Sequence, residues 1–262
     1  MPTGVHSPDR AQLQQKTFRE DRWWLAPLTT FVVFTAFVVY ATWRAFTGEF
    51  YYSSPYLSPF YSPCLAASCV EGSADFGTPF SWWQLSPALI ILIFPLGFRM
   101  TCYYYRKAYY RAFWLSPPAC GVAEPHAKYT GETRLPLILQ NVHRYFWYAA
   151  VLVAVVLTFD TILAFRNEDK EWGHMGLGSL LMVINIWYIW LYTLSCHSCR
   201  HAVGGRLRHF SKHPFRYKLW TWVSKQNVNH GRYAWISLFS VAIVDLYVYL
   251  LATERITDLR FF

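Results

Sequence analysis

Four residues in this chain have the types and the order in which side chains hold a redox metal: Cys102, His143, Cys196 and His230. Thiolates and neutral imidazoles are ligands for iron, copper and zinc. The stretch Thr101-Cys102-Tyr-Tyr-Tyr-Arg106-Lys107-Ala108 aligns with Ser195-Cys196-His-Ser-Cys-Arg200-His201-Ala202. Each is followed by a basic loop and then a histidine, His143 in NVHRYFW and His230 in NVNHGRYAW. Taken singly, such a cysteine is a small packing residue and such a histidine an interfacial one. Recurrence of the set in one order is what favours a shared site. Two thiolates on one iron and two imidazoles on the other would make a Rieske-type [2Fe–2S] centre. Two histidines alone would clamp haem b, and all four donors could close around a structural zinc. In the run CHSCRH, Cys199 and His197 are substitute ligands; Tyr105 and Tyr103 stand at the matching places in the first half.

The elements that must position these residues are helices in lipid. The sequence is 54% hydrophobic and 15% charged, which leaves long stretches nearly free of Asp, Glu, Lys and Arg. About 20 apolar residues cross a bilayer as a helix. The expected fold class is an all-α membrane protein of five transmembrane helices, at approximately 25–46, 84–105, 144–165, 174–198 and 232–253. Spans 2 and 3 and spans 4 and 5 read as a duplicated helix pair within one bundle. An outer loop, 48–83, and two cytoplasmic loops, 106–143 and 199–231, join them.

A net charge of +9 could suggest a nucleic-acid partner, but the placement of the cations points to topology. Eighteen Lys and Arg fall in residues 1–24, 103–144 and 197–232, against five in residues 44–83, 166–173 and the tail. The expectation is a plasma-membrane protein without a cleaved signal, its N-terminus cytoplasmic and its C-terminus outside. Three charges fall within spans, Arg99, Asp160 and Asp245, and intramembrane charges are functional candidates. The acids follow the two histidines by 17 and 15 residues and so lie near the outer face, suited to a proton path or a structural ion pair. The outer loop (YYSSPYLSPFYSP) reads as an aromatic cap or a flexible connection, in which Cys64 and Cys69 could pair.

The stretches TCYYYRKAYYRAFW, SCHSCRHAVGGRLRHFSKHP and NHGRYAWISLFSVAIVDLYV, with the five-span layout, resemble the SdhC-like cytochrome b anchor of succinate:quinone oxidoreductase. The resemblance implies an anchor that docks a flavoprotein and an iron–sulfur subunit on its cytoplasmic face and passes electrons to a membrane quinone. Five-span members of that family commonly hold two b haems through histidine pairs on the first, second, fourth and fifth spans. Here the first two spans contain no histidine, and Cys102 stands near the expected second-span ligand. The departure favours the [2Fe–2S] cluster over haem. Arg144, Tyr145, Arg232 and Tyr233, near the inner edge, are candidates for a quinone head-group pocket. A non-redox alternative is a small transporter or a purely structural anchor.

Overall fold

The computed structural model describes residues 21–120, 122, 133–135, 137–167, 169–205 and 207–262. The basic residues 1–20 and much of the first basic loop, on which the expected orientation partly rests, lie outside the described residues. Among the described residues, four helical stretches are long and apolar enough to cross a membrane: Leu25–Thr47, Leu137–Leu163, Leu177–Leu194 and His230–Ala252.

Helix α1 (Leu25–Thr47) carries no charge until Arg44 and stops at Gly48, whose left-handed φ of 69° ends the helix without a Cβ clash. It is peripheral: 6% of its most apolar stretch is buried, against 39–44% for the other three. Helices α5 (His143–Leu163), α6 (Leu177–Leu194) and α9 (His230–Ala252) form the bundle with the shorter α3 (Ile93–Met100). Helix α3 packs on α5 and α6 on α9, the pairing a duplicated unit requires, while α5 against α6 joins the halves.

The segment expected as one continuous second span is broken. Helix α2 (Ala88–Ile91) ends before α3, because Pro95 has no N–H to give the Ile91 carbonyl. After α3 the chain turns by 80° into α4 (Tyr103–Trp114), so this crossing exists only if the bent pair counts as one span, which would raise the total to five. The second half has the same plan, with α6 followed by α7 (His197–Gly204) and then α8 (Pro214–Asn227) before α9.

The loop between α1 and α2 folds back into the bundle end. Its short hairpin, β1 (Tyr52–Ser53) with β2 (Tyr56–Leu57), pairs Tyr52 with Leu57. Tyr51, Tyr56, Phe60 and Tyr61 are buried, Tyr51 and Tyr61 stack at 4.0 Å, and Cys64 is disulfide-bonded to Cys69. Gly178 admits the Tyr56 ring against the start of α6, since a Cβ there would lie 2.6 Å from it. Tyr56 donates to Asp258 of the C-terminal tail at 2.7 Å, and burial pushes its phenol up to about 12, so it keeps that proton.

Candidate metal centre

Each half builds its share of the site at a break in a helix. Helix α3 stops at Thr101 (φ −86°, ψ −5°) and α6 at Ser195 (φ −78°, ψ −3°). The next residues are extended, Cys102 at φ −70°, ψ 129° and Cys196 at φ −64°, ψ 146°, and each caps the helix that follows. The aligned stretches therefore match in backbone as well as in residue type. The Cys196 sulfur accepts from the Ser198 N–H at 3.4 Å.

The hydroxyl before each cysteine orients a histidine. Thr101 Oγ1 donates to the Gly97 carbonyl at 2.7 Å and lies 2.9 Å from His143 Nδ1. Ser195 Oγ donates to the Tyr192 carbonyl at 3.2 Å and lies 2.7 Å from His230 Nδ1. A hydroxyl has one hydrogen, and here the carbonyl takes it, so the ring nitrogen must donate. That network assigns the proton to Nδ1 in both histidines and leaves the Nε2 lone pair free. A ring nitrogen fixed this way is how proteins prepare a histidine ligand.

Both Nε2 atoms then point across the bundle. His143 Nε2 lies 3.2 Å from Cys196 Sγ, and His230 Nε2 lies 3.6 Å from Cys102 Sγ. Each histidine thus meets the cysteine of the other half. Cys102, Cys196 and His230 are buried. The Phe98 and Tyr192 rings, one beside each histidine, lie 5.0 Å apart, so the two pairs adjoin. The rings are braced at matching positions three residues before the break: Phe98 stacks on His143 at 5.0 Å and 9°, and Tyr192 on His230 at 5.0 Å and 21°. Among the described residues, no three His, Cys, Asp or Glu side chains gather tightly enough to hold one ion. The donors stand as two crossed pairs.

The other sequence candidates fall elsewhere. Cys199 is buried with a free thiol, and His197 is exposed, its ring 6.4 Å from that of His201. Arg99 donates to Tyr105 Oη at 2.5 Å and to the Ala234 carbonyl at 3.2 Å, with its guanidinium 5.0 Å from the Tyr192 ring centre. Asp245 is locked in a buried ion pair with Arg44 at 2.8 Å and accepts from Tyr40 and Ser58, both at 2.5 Å. Asp160 accepts from Ser62. Of the quinone candidates, Arg232 lines a cavity of about 170 Å³ with Tyr104, Tyr105, Gly231, Ala234 and Trp235. Arg144 instead reaches His201 at 2.9 Å, Tyr145 is 72% exposed, and Tyr233 donates to Gln226 at 2.9 Å.

Sequence reasoning passed over Thr101 and Ser195, although they are one of the two conservative pairs of the alignment, and over Arg44. It also passed over the aromatic pair Phe98 and Tyr192, which the same register would have found.

Residues 25–254 match the family described as actinobacterial succinate dehydrogenase subunit SdhC. The chain belongs to that family. It is an integral membrane protein and a subunit of the succinate dehydrogenase complex. A solved chain of the Mycobacterium smegmatis Sdh1 complex in the apo form is 55% identical to this SdhC chain, covers 99% of it over 99% of its own length, and superposes with a TM-score of 0.88. A comparison with curated protein sequences returns no match.

Proposed function

We propose that this anchor links a soluble iron–sulfur subunit to a membrane quinone through a Rieske-type [2Fe–2S] centre held by Cys102, His143, Cys196 and His230. The observation that carries the reading is the crossed pairing, in which each half supplies one cysteine and one oriented histidine to a common locus. A pseudo-twofold arrangement of this kind offers two equivalent thiols and two equivalent imidazoles, the donor set such a centre takes. When bound, it supplies one-electron transfer. The protein's part is to hold both imidazoles in the ligating tautomer through Thr101 and Ser195, and to keep the locus dry with Phe98 and Tyr192. A haem would need two histidines facing each other across its ring; here each Nε2 faces a sulfur instead.

The cavity lined by Tyr104, Arg232 and Trp235 is on the scale of one ring, and Tyr104 touches the edge of His230 at 5.1 Å. This is where we put the quinone head group, with Arg232 available to a carbonyl oxygen. The soluble flavoprotein and iron–sulfur subunits then dock on the basic loops, with the N-terminus cytoplasmic and the C-terminus outside the plasma membrane.

The test uses the purified complex. Dithionite-reduced wild type should give a Rieske-like EPR signal. His143→Ala and His230→Ala should lose it together with quinone reduction, while succinate oxidation with an artificial acceptor persists. A haem absorption band in place of the signal would favour the b-type alternative, and unchanged quinone reduction in both variants would remove both redox readings.

A further inference from the structure

Helix α1 stands outside the duplication, and a cavity opens where it meets the first half. Helix α4 leaves the line of α2 and α3 by 80° and packs across the start of α1, with the Phe31 and Phe113 rings 4.8 Å apart. Between the two helices lies a cavity of about 200 Å³, walled by Ala26 and Thr30 of α1 and by Tyr104, Lys107, Ala108 and Arg111 of α4. The small side chains of Ala26 and Ala108 leave the space open.

The walls are cationic. Lys107 and Arg111 are four residues apart, on one face of α4, where like charges repel. Among the described residues Lys107 has no hydrogen bond or ion pair, and Arg111 uses only its Nε, on the Pro118 carbonyl at 3.0 Å. No Asp or Glu occurs in residues 22–48 or 76–123, the stretches that contain both helices. The first turn of α1 has neither an acidic residue nor a side-chain cap, so its positive end adds to the same field. The second half differs here: His201, aligned with Lys107, accepts from Arg144 at 2.9 Å.

Apolar surface continues from the cavity along α1. Leu28, Phe31 and Val32 are exposed on a helix long and apolar enough to span the membrane. Thr30 is five residues into that helix, about 7.5 Å from its start at about 1.5 Å per residue. Trp23 and Trp24 precede it, as indoles do at a membrane interface. The cavity therefore sits at headgroup depth, with hydrocarbon beyond it. A neutral ring there would leave both cations uncompensated, and a free anion would leave the apolar surface unused.

We propose that the cavity between α1 and α4 binds the phosphate of an anionic phospholipid, with Lys107 and Arg111 as its cations, the Thr30 hydroxyl as a donor, and an acyl chain along the exposed face of α1. The site stands apart from the redox reading and holds whichever centre the bundle carries.

The test is native mass spectrometry of the purified complex, stripped of lipid in detergent and titrated with phosphatidylglycerol, phosphatidylcholine or inorganic phosphate. The tightest phosphatidylglycerol should bind in preference to phosphatidylcholine and resist excess inorganic phosphate. A basic residue beside an anionic headgroup contributes about fivefold in affinity, so Lys107→Gln with Arg111→Gln should weaken that lipid about 25-fold. Ala108→Leu, which fills the cavity and keeps both charges, should weaken it comparably, and either variant decides the matter if the other fails to assemble. Lys218→Gln with Lys225→Gln, the same loss of charge on α8, should leave it bound. Unchanged binding in an assembled cavity variant overturns the proposal. Equal weakening by the α8 pair also overturns it, because binding would then follow net charge. Displacement by inorganic phosphate would make this a free-anion site, and no preference over phosphatidylcholine would mean that another subunit or a neutral ligand takes the cavity; both results overturn the lipid assignment.

Discussion

The two ends of the bundle use the same duplication in opposite ways. At the end with the basic loops, the halves turn toward each other: His143 meets Cys196 and His230 meets Cys102. At the far end, the repeated acids turn toward the inserted loop: Asp160 takes Ser62, and Asp245 takes Ser58 with Arg44. The first end gathers imidazoles and thiols in two close pairs, which is what the proposed centre would use. The second ties both acids to the loop and saturates Asp245 with Arg44, Tyr40 and Ser58, which is a lock. An intramembrane charge that is paired and fully hydrogen-bonded has little left to offer a moving proton. The ion-pair role is therefore the one the geometry gives Asp245.

The sharpest break in that comparison is at Arg44. Both its side chain and that of Asp245 are wholly buried. Removing one partner of a buried pair leaves an uncompensated charge and costs about 3–5 kcal/mol. Arg44→Met should lower the thermal midpoint of the purified complex strongly and loosen the inserted loop, while the double variant Arg44→Met with Asp245→Leu recovers most of the loss. If the single variant melts with wild type, the far end is no lock.

The next effect belongs to the ligand end and leaves stability nearly untouched. Ser195→Ala removes the hydroxyl 2.7 Å from His230 Nδ1, which in the proposed centre holds the ring with Nε2 free. Loss of such a supporting hydrogen bond lowers metal affinity about 10–100-fold. The Rieske-like EPR signal left in the complex after a chelator challenge reads it, apart from the iron of the soluble subunit. Ser195→Thr should restore retention, because Thr101 does the same task for His143 in the other half. Equal retention of that signal in Ser195→Ala and wild type would mean that the hydroxyl only ends the helix.

How much of this was legible from sequence follows from what each feature leaves in the residue order. The ligand end was readable because a duplication repeats residue types, and Cys then His recur behind the same flanking residues. The backbone that delivers them was not. The 80° turn at Thr101–Cys102 lies inside an apolar run in which Pro95 acts earlier and splits α2 from α3. The lock was half readable: Asp160 and Asp245 stood out as charges in lipid, but their partners come from a loop rich in Tyr, Ser and Pro whose composition signals turns and not burial. Arg44 and Asp245 are 201 residues apart, and no local pattern couples such a pair. The cavity beside His230 depends on how α4 crosses α9, so of the four residues singled out by position only Arg232 lines it.

The smallest effect separates the two acids from each other. Asp245 keeps Arg44 and Tyr40 when Ser58 is changed to alanine, so that substitution removes one hydrogen bond of several and leaves the carboxylate paired. Asp160 has Ser62 as its hydrogen-bond donor among the described residues, so Ser62→Ala leaves a buried acceptor unpaired, at about 1–3 kcal/mol. Ser62→Ala should therefore cost more than Ser58→Ala, although its acid carries no ion pair. Hydrogen exchange over residues 51–62 resolves the difference, because opening of the inserted loop exposes the amides of Ser58 and Tyr61, which are hydrogen-bonded within it. Equal protection in the two variants would mean that the loop is held by the buried tyrosines and the disulfide, and that the acids merely follow it.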